Sequence, residues 1–159
     1  MSQDGNRLEQ RLQITLELLR GQSTMTLSTC DEAGWAQATP LFYYVDDGLT
    51  LYWFSAAKSA HSKHVLREPR VAAAVFVPTE YWKEIRGVQM RGHVSVVTGA
   101  MRRKITALYR ERFGLGTMFR LIMPRSLLFR FQPTWIRYLD NAKGIGHKFE
   151  VSLAERTTA

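Results

Sequence analysis

Apolar residues recur along this chain in two periods, and the change of period separates helices from strands. Leu8, Leu12, Leu16 and Leu19 lie three or four residues apart, which predicts an amphipathic helix over residues 6–20. After Gly21, short apolar or alternating runs bounded by turn residues indicate strands. The predicted strands cover residues 25–30, 35–45, 49–54, 70–77, 85–97, 127–131 and 135–139.

Tight turns and three helical stretches separate the predicted strands. The sequences DEAG (31–34) and DDG (46–48) join the first three strands into an antiparallel meander. A short basic helix is predicted at about 59–68 and a longer one at 99–113, with a third, short helix over Thr117–Met123. We therefore expect one domain over residues 1–159, of the α+β class but mainly β. Its core is a six- to seven-stranded antiparallel barrel, closed or nearly closed, over about residues 22–150.

Composition adds the expectation of an ordinary cytoplasmic protein. Hydrophobic residues make up 45% of the 159 residues, which is typical of a globular chain. Cys30 is the single cysteine, so an internal disulfide framework is excluded. The first residues are polar, and no apolar run is long enough to span a bilayer. We therefore expect no membrane partner.

The chain is strongly basic, with a formal net charge of +8 and a pI near 10.0. Such a charge suits nucleic acid, an acidic membrane surface or small anionic ligands. Only Arg102, Arg103 and Lys104 form a run of three bases, and the other bases are scattered among acids. This scattered pattern does not favour nucleic-acid binding.

Familiar catalytic and metal-binding motifs are missing from the sequence. His61 and His64 lie three residues apart on one predicted helix face, but no third ligand type lies near them, so we expect surface or anion-contacting roles. There is no G-x-S-x-G, and Cys30 has no local partner, which indicates an inert thiol. Walker and Rossmann glycine patterns are also absent. The sequence thus assigns no metal site and no catalytic residue.

The basic helix that follows the third strand is the best candidate for a ligand site. Ser59, His61, Ser62 and Lys63 lie in its first turn, where free N–H groups and the helix dipole favour an anion such as phosphate. The aromatic strand at 49–54 is placed to support a flat ring. Residues of this kind are also common on surface helices, and Trp53 is more simply a core residue.

The segments around this helix resemble a known family. The register FSAAKSAHSKHVLREPRV (54–71) resembles the signature of the pyridoxamine 5′-phosphate oxidase-like, FMN-binding split barrels. IRGVQMRG (85–92) resembles that family's strand ending in glycine. FQPTWIRY (131–138) and the residues from Asp140 to Lys148 are similar to the closing strand and tail of an uncharacterised branch. The resemblance covers roughly residues 22–150.

This resemblance implies a split β-barrel flavoprotein, an oxidoreductase that holds FMN at a homodimer interface and acts on a small redox substrate. The phosphate contacts would fall on Ser55, Ser59, His61 and Lys63. The isoalloxazine edge would meet the strand Thr39–Phe42 through its main chain, with Gln89 from the neighbouring strand. The implied cofactor-binding residues in that part are Thr39, Leu41, Phe42 and Gln89.

The chain departs from the family pattern at two places. Ala60 stands where many members have a phosphate-binding Arg, and His61 often aligns with a Lys, so permanent positive charge is reduced at the phosphate. The tail also lacks the Arg-x-His pair associated with vitamin B6 substrates. His147 and Lys148 are a partial substitute, which makes Lys148 a candidate contact but does not support the vitamin B6 reaction.

Two other functions remain open from the sequence. A haem- or deazaflavin-binding protein on the same fold would use His61, His64 or His147 as an axial ligand or phosphate partner. A basic nucleic-acid-binding barrel is the third possibility, based on the aromatic strand and the net charge of +8.

Overall fold

A computed structural model describes residues 3–117, 121 and 123–153. In this part of the chain three helices accompany a curled sheet, and short 3₁₀ turns lie at Trp82–Glu84, Met123–Arg125 and Asn141–Lys143. The helices are α1 (Gln3–Gly21), α2 (Ala60–Arg67) and α3 (Gly99–Phe113). The strands are β1 (Thr24–Cys30), β2 (Ala36–Phe42), β3 (Tyr44–Val45), β4 (Leu51–Ala56), β5 (Arg70–Phe76), β6 (Arg86–Val96), β7 (Ser126–Asp140) and β8 (Lys148–Ser152).

The strands form one antiparallel sheet that curls into a split barrel. Its hydrogen-bonded order is β2-β1-β5-β6-β7-β4-β3, and β8 pairs with β7 beside this path. The two ends of the path, β2 and β3, are separated in the chain by the single residue Tyr43. The ends of the sheet are therefore held together by the covalent chain. The α+β split-barrel prediction is confirmed.

Tyr43 explains why the predicted strand at 35–45 is wrong as a single strand. Its side chain is buried, and its hydroxyl donates to the carbonyl of Leu19 at 2.5 Å. This inward residue ends β2 and starts β3, so the predicted meander divides into two hairpins. The β1–β2 hairpin lies at one end of the sheet path and the β3–β4 hairpin at the other.

The prediction of two closing strands, 127–131 and 135–139, is also wrong, because β7 is continuous. It pairs with β6 along most of its length, with β4 through its first half and with β8 through its second half. Pro133 lies within β7 at the register shift of the β6–β7 pair, opposite Gly92, and such an irregularity accommodates a proline inside a strand. The sequence analysis also missed β8, whose apolar residues are Phe149 and Val151.

The core fills the barrel with the inward residues of these strands. Trp53 is fully buried and stacks on Phe129 with ring centroids 5.3 Å apart, which confirms its assignment to the core. Leu19 of α1 and Val65 of α2 join the same core. A smaller apolar cluster lies between α3 and the sheet and contains Tyr52, Val97, Ile105 and Leu128.

Helix α2 connects two strands that are far apart in the sheet. It follows β4 near one end of the path and leads into β5, which lies three steps away across β7 and β6. Its predicted extent of about 59–68 is confirmed to within a residue at each end, as is the extent of α3. The short helix predicted at Thr117–Met123 lies largely outside the described residues.

The close approach of β6 and β7 makes Gly92 sensitive to substitution. A Cβ at this position would overlap the carbonyl oxygen of Gln132. We predict that Gly92→Ala lowers the free energy of unfolding by about 2–3 kcal/mol, because backbone must move. Gly21→Ala is the control, since its Cβ would meet nothing within 4 Å, and we expect a change below about 1 kcal/mol. Equal effects in urea unfolding would contradict this account.

Candidate functional site

Three polar side chains converge where β4 ends and α2 begins. The Oγ atom of Ser55 lies 2.5 Å from Nε2 of His61 and 3.3 Å from Oγ of Ser59. The Oγ atom of Ser59 is 3.2 Å from the same imidazole nitrogen. All three residues are partly accessible. Three of the four predicted phosphate contacts therefore lie within hydrogen-bond distance of one another.

The start of α2 adds backbone donors to this cluster. The first hydrogen bond of the helix runs from the N–H of Lys63 to the carbonyl of Ser59, so the preceding N–H groups of the first turn lack partners within the helix. Ser59 occupies the N-cap, but its side chain does not cap the helix. Its hydroxyl instead lies 2.9 Å from the carbonyl of Ala56 and 2.8 Å from Oγ of the buried Ser62.

His61 is held neutral by its surroundings. Partial burial lowers the pKa of His61 below its ordinary value of 6.5, and the neighbouring His64 lowers it further. Desolvation acts against the charged imidazolium. At pH 7 the neutral form of the His61 ring is therefore favoured over the charged form.

Lys63 does not join the other three predicted contacts. It is exposed and lines a different groove of about 640 Å³, together with Asp31, Lys58, His64 and Arg67. Side chains two positions apart in a helix point in directions roughly 200° apart around the helix axis. This explains why Lys63 and His61 diverge. Within this groove, Nδ1 of His64 is hydrogen-bonded to Oγ1 of Thr29 at 2.9 Å.

The β2 residues implicated in ring binding differ in orientation. Thr39 and Leu41 are half-buried and lie opposite the buried Leu27 and Met25 of β1, so they face the inside of the barrel. The Oγ1 atom of Thr39 is buried without a hydrogen-bond partner. Phe42 is 59% exposed.

The main chain of Phe42 is tied to α3. Its carbonyl accepts a hydrogen bond of 3.2 Å from the Tyr109 hydroxyl. Its ring packs edge-on against Phe113, with centroids 5.5 Å apart. One of the two lone pairs of this carbonyl oxygen is therefore already used within the protein.

Gln89 lies on the outer face of the barrel in a groove of about 490 Å³. Small side chains, including Ala72 and Ala74, line its floor. Trp135 lies between two guanidinium groups, 4.3 Å from that of Arg91 and 5.0 Å from that of Arg137.

Sequence reasoning missed the cationic side of this groove. Arg91 pairs across the strands with Trp135, and Gln89 pairs with Arg137. The alternation of β6 already puts Arg91 on the same face as Gln89. The pairing with β7 is visible only in the fold, because the register depends on the bulge at Gly92.

The two parts of the predicted site lie far apart in one chain. Ser55 pairs with Leu127, whereas Gln89 pairs with Arg137, ten residues further along β7. Ten residues of extended strand span about 33 Å. The two parts of the predicted site therefore lie on opposite halves of β7, on either side of the register shift opposite Gly92.

Lys148 belongs to the Gln89 end of the barrel. It is the exposed first residue of β8 and pairs with Leu139, which in turn pairs with Gly87. The neighbouring His147 lies in the turn before β8, and its N–H donates to the carbonyl of Gly144. The structure does not bring either residue to the Ser55–His61 cluster.

Metal binding and membrane crossing would each require a recognisable arrangement of residues. Within residues 3–117, 121 and 123–153, no group of three or more His, Cys, Asp or Glu is placed to hold a metal ion. In the same part of the chain, no helix has the length and apolar character needed to cross a bilayer.

The sequence profile of the pyridoxamine 5′-phosphate oxidase family matches residues 14–140, which includes all of β1 to β7. This chain belongs to the pyridoxamine 5′-phosphate oxidase family. A relative of this family member, a UPF0306 protein of Pasteurella multocida, is 26% identical over 133 residues, which cover 82% of this chain and 84% of that protein.

Solved structures share the fold of this family member. A conserved hypothetical protein from Mycobacterium tuberculosis superposes with a TM-score of 0.72 at 23% identity, covering 99% of this chain and 95% of its own. HutZ, the heme storage protein from Vibrio cholerae, has a TM-score of 0.66 at 17% identity and covers 77% of this chain and 89% of its own. At such identities the likeness establishes the fold and leaves the ligand open.

The lowered pKa of His61 predicts a pH-dependent stability. Between the lowered folded pKa and the ordinary value of 6.5, the unfolded chain binds more protons, so stability falls as the pH falls through this window. We expect the His61→Gln variant to lose this part of the pH dependence in urea unfolding. His93→Gln, which changes an exposed residue, should keep it, and identical pH profiles for wild type and His61→Gln would contradict the prediction.

Proposed function

We propose that this protein is an FMN-binding flavoprotein and an oxidoreductase for a small-molecule substrate. The observation that carries the proposal is the convergence of Ser55, Ser59 and His61 at the N-terminus of α2. Hydroxyl groups and free backbone N–H groups at a helix N-terminus suit a phosphate monoester. Membership of the pyridoxamine 5′-phosphate oxidase family supports the same ligand class.

The donor set fits the phosphate of FMN. Ser55 would donate its hydroxyl hydrogen to a phosphate oxygen in place of its contact with His61. Ser59 would do so by turning its hydroxyl away from the carbonyl of Ala56 and from Ser62. A phosphate dianion favours the protonated imidazole, so binding would raise the pKa of His61 and add a charge-assisted hydrogen bond. Lys58 and Lys63, which line the adjoining groove, supply positive potential from outside the cluster.

We propose a homodimer, because the two parts of the site lie on opposite halves of β7 in one copy of the chain. In a two-fold arrangement, the α2 end of one copy faces the outer groove of the second copy, and two identical sites result. The small side chains at Ala72 and Ala74 would let a flat ring or a neighbouring backbone approach the sheet closely.

FMN, when bound, would supply the transfer of electrons or hydride. The chain's own residues orient the ring and set its electrostatic environment. Arg91 places positive charge over Trp135 on the wall of the outer groove, whereas the charge of Arg137 is paired with Glu150 at 2.8 Å. This wall favours anionic groups on the ring or on the substrate.

A haem-binding protein is the second candidate. HutZ, named as a heme storage protein, shares the fold. In this chain, Thr29 holds Nδ1 of His64, which leaves Nε2 as the ring nitrogen available to a ligand, and bonding of one nitrogen is what orients metal-ligating histidines. The visible spectrum of the purified protein separates the candidates, since flavin bands and a haem Soret band do not coincide.

Removing the serine hydroxyls tests the FMN proposal. We predict that FMN binds the wild type and that Ser55→Ala and Ser59→Ala each raise its Kd about tenfold or more, because each removes a hydrogen bond to a charged phosphate. Fluorescence titration with FMN measures the Kd, and riboflavin, which lacks the phosphate, should show no such difference between variants.

Thr98→Ala is the matched control for these serine variants. Thr98 is also a hydroxyl-bearing N-cap, at α3, and its side chain does not cap the helix. We expect this variant to bind FMN like the wild type. The proposal fails if the wild type does not bind FMN, or if the serine variants bind it as tightly as the Thr98→Ala control.

A further inference from the structure

The positive charge of this chain is concentrated in one stretch of sequence. Residues 85–139 contain eleven Arg or Lys and a single acid, Glu111, whereas the rest of the chain contains eleven bases and thirteen acids. The whole net charge therefore comes from this stretch. Runs of like charge do not show this excess of basic residues, because apolar and small residues separate most of the bases.

The fold gathers several of these bases on α3 and beside it. Arg103, Lys104 and Arg110 are exposed on the helix, and Arg103 and Arg110 share a face because they lie seven residues apart. Within the described part of the chain, none of the three has an acidic partner within salt-bridge distance. Glu111, which follows Arg110 in the sequence, lies close enough to Tyr44 to act on it electrostatically.

Arg102 holds a neighbouring segment whose Arg125 adds a further base to this surface. The guanidinium of Arg102 donates to the carbonyls of Met123 and Ser126, at 3.0 and 2.8 Å. These bonds hold the segment that contains the exposed Arg125 against the first turn of α3. We call Arg103, Lys104, Arg110 and Arg125 the α3 basic surface.

We propose that the α3 basic surface binds the phosphate backbone of nucleic acid without reading its sequence. Arg103 and Arg110 are about 10 Å apart along the helix axis, which is far enough for each to contact a different phosphate of one strand. Ten of the eleven bases in the stretch are Arg, the side chain that best matches phosphate geometry. The proposal does not depend on the proposed cofactor.

An anionic membrane is the competing partner, and the helix argues against it. A helix that lies on a membrane inserts an apolar face. On α3 that face is used by the fold, since Ile105 lies in the apolar cluster against the sheet and Leu108 packs on that cluster. The remaining surface is charged, which suits a hydrated polyanion.

A DNA-binding titration at several salt concentrations tests the proposal. It follows the fluorescence anisotropy of a labelled duplex of roughly 20 base pairs as the full chain is added. We expect binding whose affinity falls steeply with salt. The triple variant Arg103→Gln, Lys104→Gln, Arg110→Gln should lose about tenfold or more in affinity and reduce the salt slope by about 2–3.

The control removes the same charge elsewhere, with Arg7→Gln, Lys83→Gln and Arg86→Gln. These residues are exposed, and Arg86 lies at the end of β6 remote from α3. We expect the DNA affinity of this control variant to stay within about twofold of the wild-type affinity. Equal losses in both triple variants would overturn the proposal in favour of diffuse net charge. Absence of DNA binding, or binding only to vesicles containing phosphatidylglycerol, would overturn it as well.

Discussion

The close approach of β6 and β7 at Gly92 is the constraint on which the rest of the structure depends. No side chain fits between Gly92 and the Gln132–Pro133 backbone, and the register of the pair shifts there. A bulge of this kind bends a strand. On one side of the bend β7 pairs with β4, and on the other side it pairs with β8. The sheet can therefore curl without closing fully into a barrel.

This geometry also decides how a ligand site can form. The Ser55–His61 cluster lies at the β4 side of the bend and Gln89 at the β8 side. The long strand β7 lies between the two parts, and for this reason we propose that a second copy of the chain completes the site. In the proposed site His61, whose pKa is lowered in the chain without a ligand, would gain a proton when a phosphate binds. A lysine there would be charged in both states.

Much of this arrangement was predictable from local sequence, and the exceptions have physical causes. Helices α2 and α3 follow from their apolar period and from Pro69 and Gly114, which end them. The break at Tyr43 was not predictable, because it lies where pairing changes from the β1–β2 hairpin to the β3–β4 hairpin at the other end of the sheet. Within the site, the Ser55–Ser59–His61 cluster is local, whereas the grouping of Arg91, Trp135 and Arg137 depends on strand register.

Mixed dimers provide a direct test of the proposal that each FMN site is built from two copies of the chain. A Ser55→Ala, Ser59→Ala double variant damages the α2 end, and Gln89→Glu places a negative charge in the outer groove. The account predicts that neither binds FMN well alone. An equimolar mixture, dissociated and reassembled, should regain about a quarter of the wild-type FMN capacity, because half of the dimers then contain one intact site. No recovery on mixing, or full FMN binding by Gln89→Glu alone, would contradict it.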